Sequence, residues 1–159
     1  MTLALDDTLR VYFFSSWSGQ TKKGGWSFLM TRKGPEGELQ RSGLSGAVSA
    51  TTQQQMELIA VLEAFKRINE RNLADRPITV YTSSNYINQG INEWMEGWKV
   101  KGWKGGNNKP VQNAELWKKL DMFNEHFKPS WELITNEGNH PAFSEVRTMA
   151  VKAKDLKGE

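Results

Sequence analysis

The chain has 159 residues, 38% of them hydrophobic, with no cysteine and a formal net charge of only +3. That length suits one domain with a sheet and several helices, and no run reaches the roughly 18 apolar residues of a membrane span. The missing cysteines exclude disulfides, thiolate catalysis and cysteine-ligated zinc, and they point to an intracellular setting of unspecified compartment. The first residues, MTLALDDTLR, carry Asp6 and Asp7 and no basic segment ahead of an apolar one, so a secretory leader is not expected. Bulk charge this weak does not mark a nucleic-acid binder, and any such role has to rest on how the charge is distributed.

In chain order, Leu9–Phe14 is rich in β-favouring residues and predicts a first strand. The polar connection SSWSGQTKKGG leads to a second strand at Trp26–Thr31. A turn at Lys33–Gly37 precedes a third strand at Leu39–Val48. Connections this short predict an antiparallel meander, because parallel neighbours need a longer crossover. From about Thr52 to Asn69, Met56, Ile59, Ala60, Phe65 and Ile68 recur at helical spacing, with Leu58, Val61 and Leu62 widening the buried side. The strand ITVYT after Pro77 follows that helix and is expected to be parallel.

Ser84 is placed to cap a helix running to about Met95. WKVKGWKGGNNKP predicts a short helix and then a protruding loop. Val111–Phe127 is expected to be helical, Trp131–Thr135 a fifth strand, and Ala142 to Ala153 the last helix. The whole chain, 1–159, reads as a single α/β domain with an ordered core at approximately 9–154. Its sheet is five-stranded and mixed, with flanking helices.

Several ordered pieces then match one known pattern. They are Gly24-Gly25-Trp26, Met56-Glu57-Leu58, Ser84-Asn85-Tyr86 with Gln89-Gly90-Ile91, Gly102-Trp103-Lys104, Lys109-Pro110-Val111, Leu116-Trp117, and the late Gly138, His140 and Pro141. With these the chain resembles a bacterial-type ribonuclease H with a basic protrusion, and the similarity covers nearly all of residues 9–154. The resemblance implies the ribonuclease H-like fold and a two-metal hydrolase of the RNA strand of RNA–DNA hybrids. Such chemistry needs four carboxylates, because two Mg²⁺ about 4 Å apart repel unless anionic oxygens surround them.

The family's four acidic positions fall here on Phe14 (Ser15 if the connection differs by one residue), Glu57, Ser83 and Arg147. Its loop histidine falls on Glu137. One acid remains and an obligate cation replaces another. The expected protein is therefore a catalytically degenerate homologue, with no competent catalytic residue, no metal and no cofactor. If Arg147 lies beside Glu57, the two can form a charge-assisted pair in place of metal. His126 and His140 do not make a metal site, and His140, beside Pro141, is expected to orient its loop.

The resemblance also implies a nucleic-acid surface. Thr52, Gln53, Gln54, Gln55 and Asn85 match groove positions, although the family has asparagines where Gln53 and Gln54 stand. Between Trp98 and Lys119, six lysines (Lys99, Lys101, Lys104, Lys109, Lys118 and Lys119) face one acid, Glu115. A basic loop of this kind suits a phosphate backbone and gives salt-dependent affinity. Asn113 belongs to the same expected surface. Trp94, Trp98 and Trp117 either press against sugars or brace the protrusion, while Trp103 is expected to pack. Three readings stay open: a non-catalytic binder of RNA–DNA hybrid or structured nucleic acid, a protein-interaction or structural module that kept only the fold, and a divergent metal-dependent nuclease. None involves a membrane.

Overall fold

The computed structural model describes residues 7–136 and 139–156. Strands β1 (Leu9–Trp17), β2 (Lys23–Lys33) and β3 (Leu39–Ser49) form the antiparallel meander; β4 (Ile78–Thr82) and β5 (Ser130–Leu133) complete the sheet in the order β3-β2-β1-β4-β5. β4 is parallel to β1 and β5 is parallel to β4. Helix α1 (Gln53–Glu70) makes the first crossover. The second contains α2 (Asn85–Gln89), α3 (Met95–Val100) and α4 (Ala114–Phe127), and α5 (Pro141–Leu156) ends the fold. β1 and β2 extend further than their apolar patterns suggest, because antiparallel pairing from Arg10↔Thr31 to Trp17↔Gly24 carries the polar ends along.

Alternation along β1 divides the core between the two faces of the sheet. Leu9, Val11 and Phe13 join Phe28, Met30 and the buried side of α1 in the larger cluster. Tyr12 and Leu29 face α5, where they meet Phe143 and Val146. Eight α1 residues are buried, among them Met56, Leu58, Val61, Phe65 and Ile68; a side chain of that size withdrawn from water contributes ~1.5–3 kcal/mol. Thr52 caps α1, its hydroxyl accepting from the Gln55 amide at 3.0 Å. On the other face α5 approaches β2 so closely that a Cβ on Gly25 would lie 2.0 Å from the Ala150 carbonyl oxygen, and Ser27 Oγ donates to the Val146 carbonyl at 2.5 Å.

The helix that starts beyond Ser84 does not stop near Met95. It passes through a π turn at Gly90–Trp94 and continues as α3 to Val100. The π turn stands where the backbone must clear the Trp117 indole: a Cβ on Gly90 would lie 2.0 Å from that ring. α4 starts three residues later than the apolar pattern suggests, after Asn113 in the left-handed region (φ 62°). It ends at Lys128, also left-handed (φ 49°), just before Pro129.

Candidate functional site

β1 and β4 run parallel, so their C-terminal ends lie side by side, and the N-termini of α1 and α2 open beside them. Between these ends lies a cavity of about 300 Å³ lined by Phe14, Ser15, Gln53, Glu57, Ser83 and Arg147. All four positions matched to the family's acids thus converge on one cavity. Ser83 lines it directly after β4, and Glu57 reaches it from the first turns of α1.

Glu57 is held by neutral donors. Ser84 Oγ donates to its Oε1 at 2.5 Å while accepting from the Ile87 amide at 3.0 Å, so one hydroxyl both caps α2 and fixes the carboxylate. Gln53 Nε2 donates to Oε2 at 3.2 Å and to Ser15 Oγ at 3.1 Å. The i, i+4 spacing of Gln53 and Glu57 on α1 was a readable signal for the second contact. No direct Glu57–Arg147 ion pair forms among the described residues, although both side chains line the same cavity. Arg147 instead lays its guanidinium over the Phe14 ring at 4.8 Å, and the same ring meets Phe143 edge-on at 5.8 Å. The Phe14 face supplies a quadrupole for the cation, while Ser84 and Gln53 each donate to one oxygen of Glu57.

These residues do not fit a pair of divalent cations. Three of the four positions offer a ring, a hydroxyl and a guanidinium, and the one carboxylate already accepts on both oxygens. Among the described residues there is no group of three or more His, Asp or Glu side chains that could hold a metal ion. Glu137, matched to the family's loop histidine, lies outside the described residues, as do Gly138 and Asp6. Asp7 belongs to the opposite end of β1, where it pairs with Arg76 at 3.1 Å. His140 packs its ring against Tyr81 at 5.8 Å, and its carbonyl accepts from the Phe143 amide at 2.9 Å, opening α5.

The expected groove residues divide by what their side chains already do. Thr52 is committed to capping α1. Gln55 turns its Oε1 back onto the Thr51 amide and hydroxyl at 2.6 and 2.9 Å, and Gln53 holds Glu57. Gln54 and Asn85 are exposed.

The protrusion is built around an aromatic brace. Tyr86 meets Trp117 at 5.3 Å; Trp117 meets Trp98 at 5.3 Å; and Trp98 meets Trp94 at 5.8 Å and Trp103 at 6.3 Å. Trp117 Nε1 donates to the Tyr86 hydroxyl at 2.8 Å and Asn113 Nδ2 donates to it at 3.3 Å. Trp117 is completely buried, so it braces the protrusion and does not contact a ligand; its indole had to satisfy both its apolar area and its N–H, and the core beside Gly90 does both. Trp94, Trp98 and Trp103 are half-buried.

Lys99 also departs from its expected role. It bridges Asp121 at 3.2 Å, Glu125 at 3.2 Å and Glu96 at 3.5 Å, tying α3 to α4. Hydrogen bonds that its ammonium donates to Asp121 and Glu125 raise its pKa above the ordinary lysine value. Two of those acids lie beyond Lys119 in sequence and were invisible to a local charge count. Lys118 is paired with Glu115 at 3.2 Å within one turn. Lys101, Lys104 and Lys109 are exposed on the loop, which a bridge between Lys104 and Pro110 closes.

A family model described as RNase H matches residues 6–146. The ribonuclease H of Paramagnetospirillum magneticum is 38% identical over 135 residues, covering 85% of this chain and 82% of that protein. That of Ralstonia nicotianae is 35% identical over 148 residues, covering 92% of this chain and 91% of its own length. Among solved structures, LC9-RNase H1, described as a type 1 RNase H with the type 2 active-site motif, superposes with a TM-score of 0.81 at 24% identity. It covers 97% of this chain and 75% of that one, a likeness of fold. No described helix is long and apolar enough to cross a membrane. The sheet order, the convergence of the four mapped positions and these relatives agree: the chain belongs to the ribonuclease H family, as a bacterial-type domain with no evident metal-binding carboxylate cluster among its described residues.

Proposed function

We propose that this domain holds an RNA–DNA hybrid, or a similarly structured nucleic acid, without hydrolysing it. The observation that carries the reading is the altered charge of the central cavity. Where two-metal chemistry needs anionic oxygens, Arg147 brings a guanidinium and Glu57 is occupied by Ser84 and Gln53. A cavity of that character suits a phosphate better than Mg²⁺. The α2–α3 helix starts at Ser84 on the cavity wall and ends at the lysine-bearing loop; its 16 residues span roughly 24 Å if straight, enough to reach along several base pairs. Lys101, Lys104 and Lys109 would then meet backbone phosphates, with Gln54 and Asn85 reading sugars or minor-groove edges.

A salt titration with a labelled short hybrid, single-stranded RNA and an equally basic control protein tests this. The wild type binds hybrid more tightly than single-stranded RNA, and affinity falls as salt rises. Replacing Lys101, Lys104 and Lys109 by alanine flattens the log–log salt dependence by about 2–3. Replacing Gln54 and Asn85 reduces discrimination for hybrid over single strand more than total affinity. No cleavage appears with Mg²⁺ or Mn²⁺. Affinity no better than the control protein's would hand the function to the protein-interaction reading, and cleavage abolished by Glu57→Gln would restore the nuclease.

A further inference from the structure

At the other end of the sheet, away from Phe14 and Glu57, a cleft of about 310 Å³ lies between β2, β3 and the end of α1. Its floor includes the buried Leu9 and Met30, and its wall includes Arg32, Gln40, Arg67 and Arg71. We infer that Arg32, Arg67 and Arg71 form a second anion site, built to hold a ligand carrying phosphate groups.

Three features point there. First, the arginines come from separate elements: Arg32 from β2, Arg67 from the last turn of α1, and Arg71 from its C-cap. A helix C-terminus favours a cation nearby and accounts for Arg67. It does not account for a third guanidinium arriving from the sheet. Second, none of the three pairs with a carboxylate among the described residues, although nearly every other ion pair of this surface is made. Arg41, also on the cleft's lining, is bound to Glu145, and Arg76 to Asp7 and Asp75. Arg67 and Arg71, four residues apart on one helical face, repel each other as placed. Third, Arg32 is oriented. Its Nε donates to Gln40 Oε1 at 2.8 Å, and Gln40 Nε2 is held in turn by Glu38 at 3.3 Å, so the guanidinium is directed while its terminal nitrogens lie outside that bond.

An oxyanion would relieve the repulsion and accept from the guanidinium forks in the geometry they favour. A neighbouring cavity of about 610 Å³ shares Arg32 and Gln40 and adds Lys33 together with the ion-paired Arg76 and Asp7. The site stands apart from the hybrid reading and does not depend on it. The phosphates have two possible sources, a free phosphorylated small molecule or the backbone of a nucleic acid.

Inorganic pyrophosphate is the probe, titrated at constant ionic strength with sodium chloride as the reference, and read by thermal melting and calorimetry. The wild type gains a saturable shift of roughly 3–6 °C at ten times its Kd. Arg67→Gln with Arg71→Gln weakens pyrophosphate binding by roughly tenfold or more, while the unliganded variant melts within a few degrees of wild type, since relief of the like-charge pair offsets the lost helix-terminus interaction. Arg32→Gln weakens binding comparably and serves as a second variant should the double change impair folding. Lys118→Gln, on α4 outside both cavities and paired with Glu115, leaves binding unchanged. A parallel titration with a short RNA–DNA hybrid separates the sources. Equal weakening of both ligands in the double variant assigns the site to a nucleic-acid backbone, and weakening of pyrophosphate alone assigns it to a free small molecule. The absence of a saturable response to pyrophosphate overturns the proposal, as does a response of wild-type strength in both the double variant and Arg32→Gln.

Discussion

The central cavity and the aromatic brace of the protrusion are joined through Ser84 and α2, yet they are built on opposite principles. In the cavity, the positions that the family resemblance matches to acids carry a ring, a hydroxyl and a guanidinium beside one carboxylate. In the brace each side chain is fixed by a particular neighbour, with Gly90 beneath Trp117 and the hydroxyl of Tyr86 on its N–H. The difference teaches that a metal cage is energetically separable from the fold that carries it. Carboxylates gathered for a metal repel one another without it, so replacing them need not cost stability. A buried indole has no such freedom, because its area and its N–H are both satisfied by particular neighbours.

The largest effect should come from breaking the brace. Trp117→Ala is expected to cost about 3–5 kcal/mol in denaturant unfolding, since it empties the contact with Gly90 and removes the donor to Tyr86. A loss below about 1 kcal/mol would mean the cluster is looser than its contacts imply.

Rebuilding the cage tests the other side. Changing Phe14, Ser83 and Arg147 together to Asp should destabilise the metal-free protein by about 2–3 kcal/mol through like-charge repulsion with Glu57. Mg²⁺ or Mn²⁺ should then recover much of that loss, whereas wild-type melting stays indifferent to either cation. Equal metal responses in the two proteins would refute the separation of cage from fold.

A smaller effect is expected at Lys99. Lys99→Met should cost about 1 kcal/mol by leaving Glu96, Asp121 and Glu125 to repel, and it should change hybrid affinity far less than the loop lysines do. The sign with pH follows from the raised ammonium pKa. Its stabilisation is fully present below the ordinary lysine value of 10.5 and is lost as pH rises through the higher folded value. Wild-type and variant stabilities should therefore converge at strongly alkaline pH, as followed by urea unfolding across a pH series.

The smallest effect belongs to Glu57→Gln, about 0.5–1 kcal/mol, because Ser84 can still donate to the remaining carbonyl oxygen while Gln53 loses a charged acceptor. A crystal structure of that variant with Gln53 turned away from position 57 would fit. An unchanged pair would show that the charge of Glu57 contributes little.

Much of the fold was legible in the residues. The meander followed from short connections, α1 from its apolar spacing, and the parallel β4 from the helical crossover. The three altered positions, Phe14, Ser83 and Arg147, were located by counting from neighbouring motifs, and all line one cavity with Glu57. Strand ends were less legible because ladder pairing extends past the apolar run, as at Lys23–Gly25. The continuation of the helix beyond Met95 was hidden because the π turn answers to Trp117, a residue 27 positions after Gly90.

By itself, the sequence determined which charges the chain has and which it lacks: one acid at the mapped positions, a cation at another, and lysines gathered before α4. Only the tertiary structure decided which of those charges are spent internally. Lys99 meets Asp121 and Glu125 across two helices, Arg147 turns to Phe14, Glu57 is taken by Ser84 and Gln53, and Arg32 joins Arg67 and Arg71 from a different element. The reason is that Coulomb and hydrogen-bond partners act over a few ångströms of space, and folding sets those distances with little regard for separation along the chain.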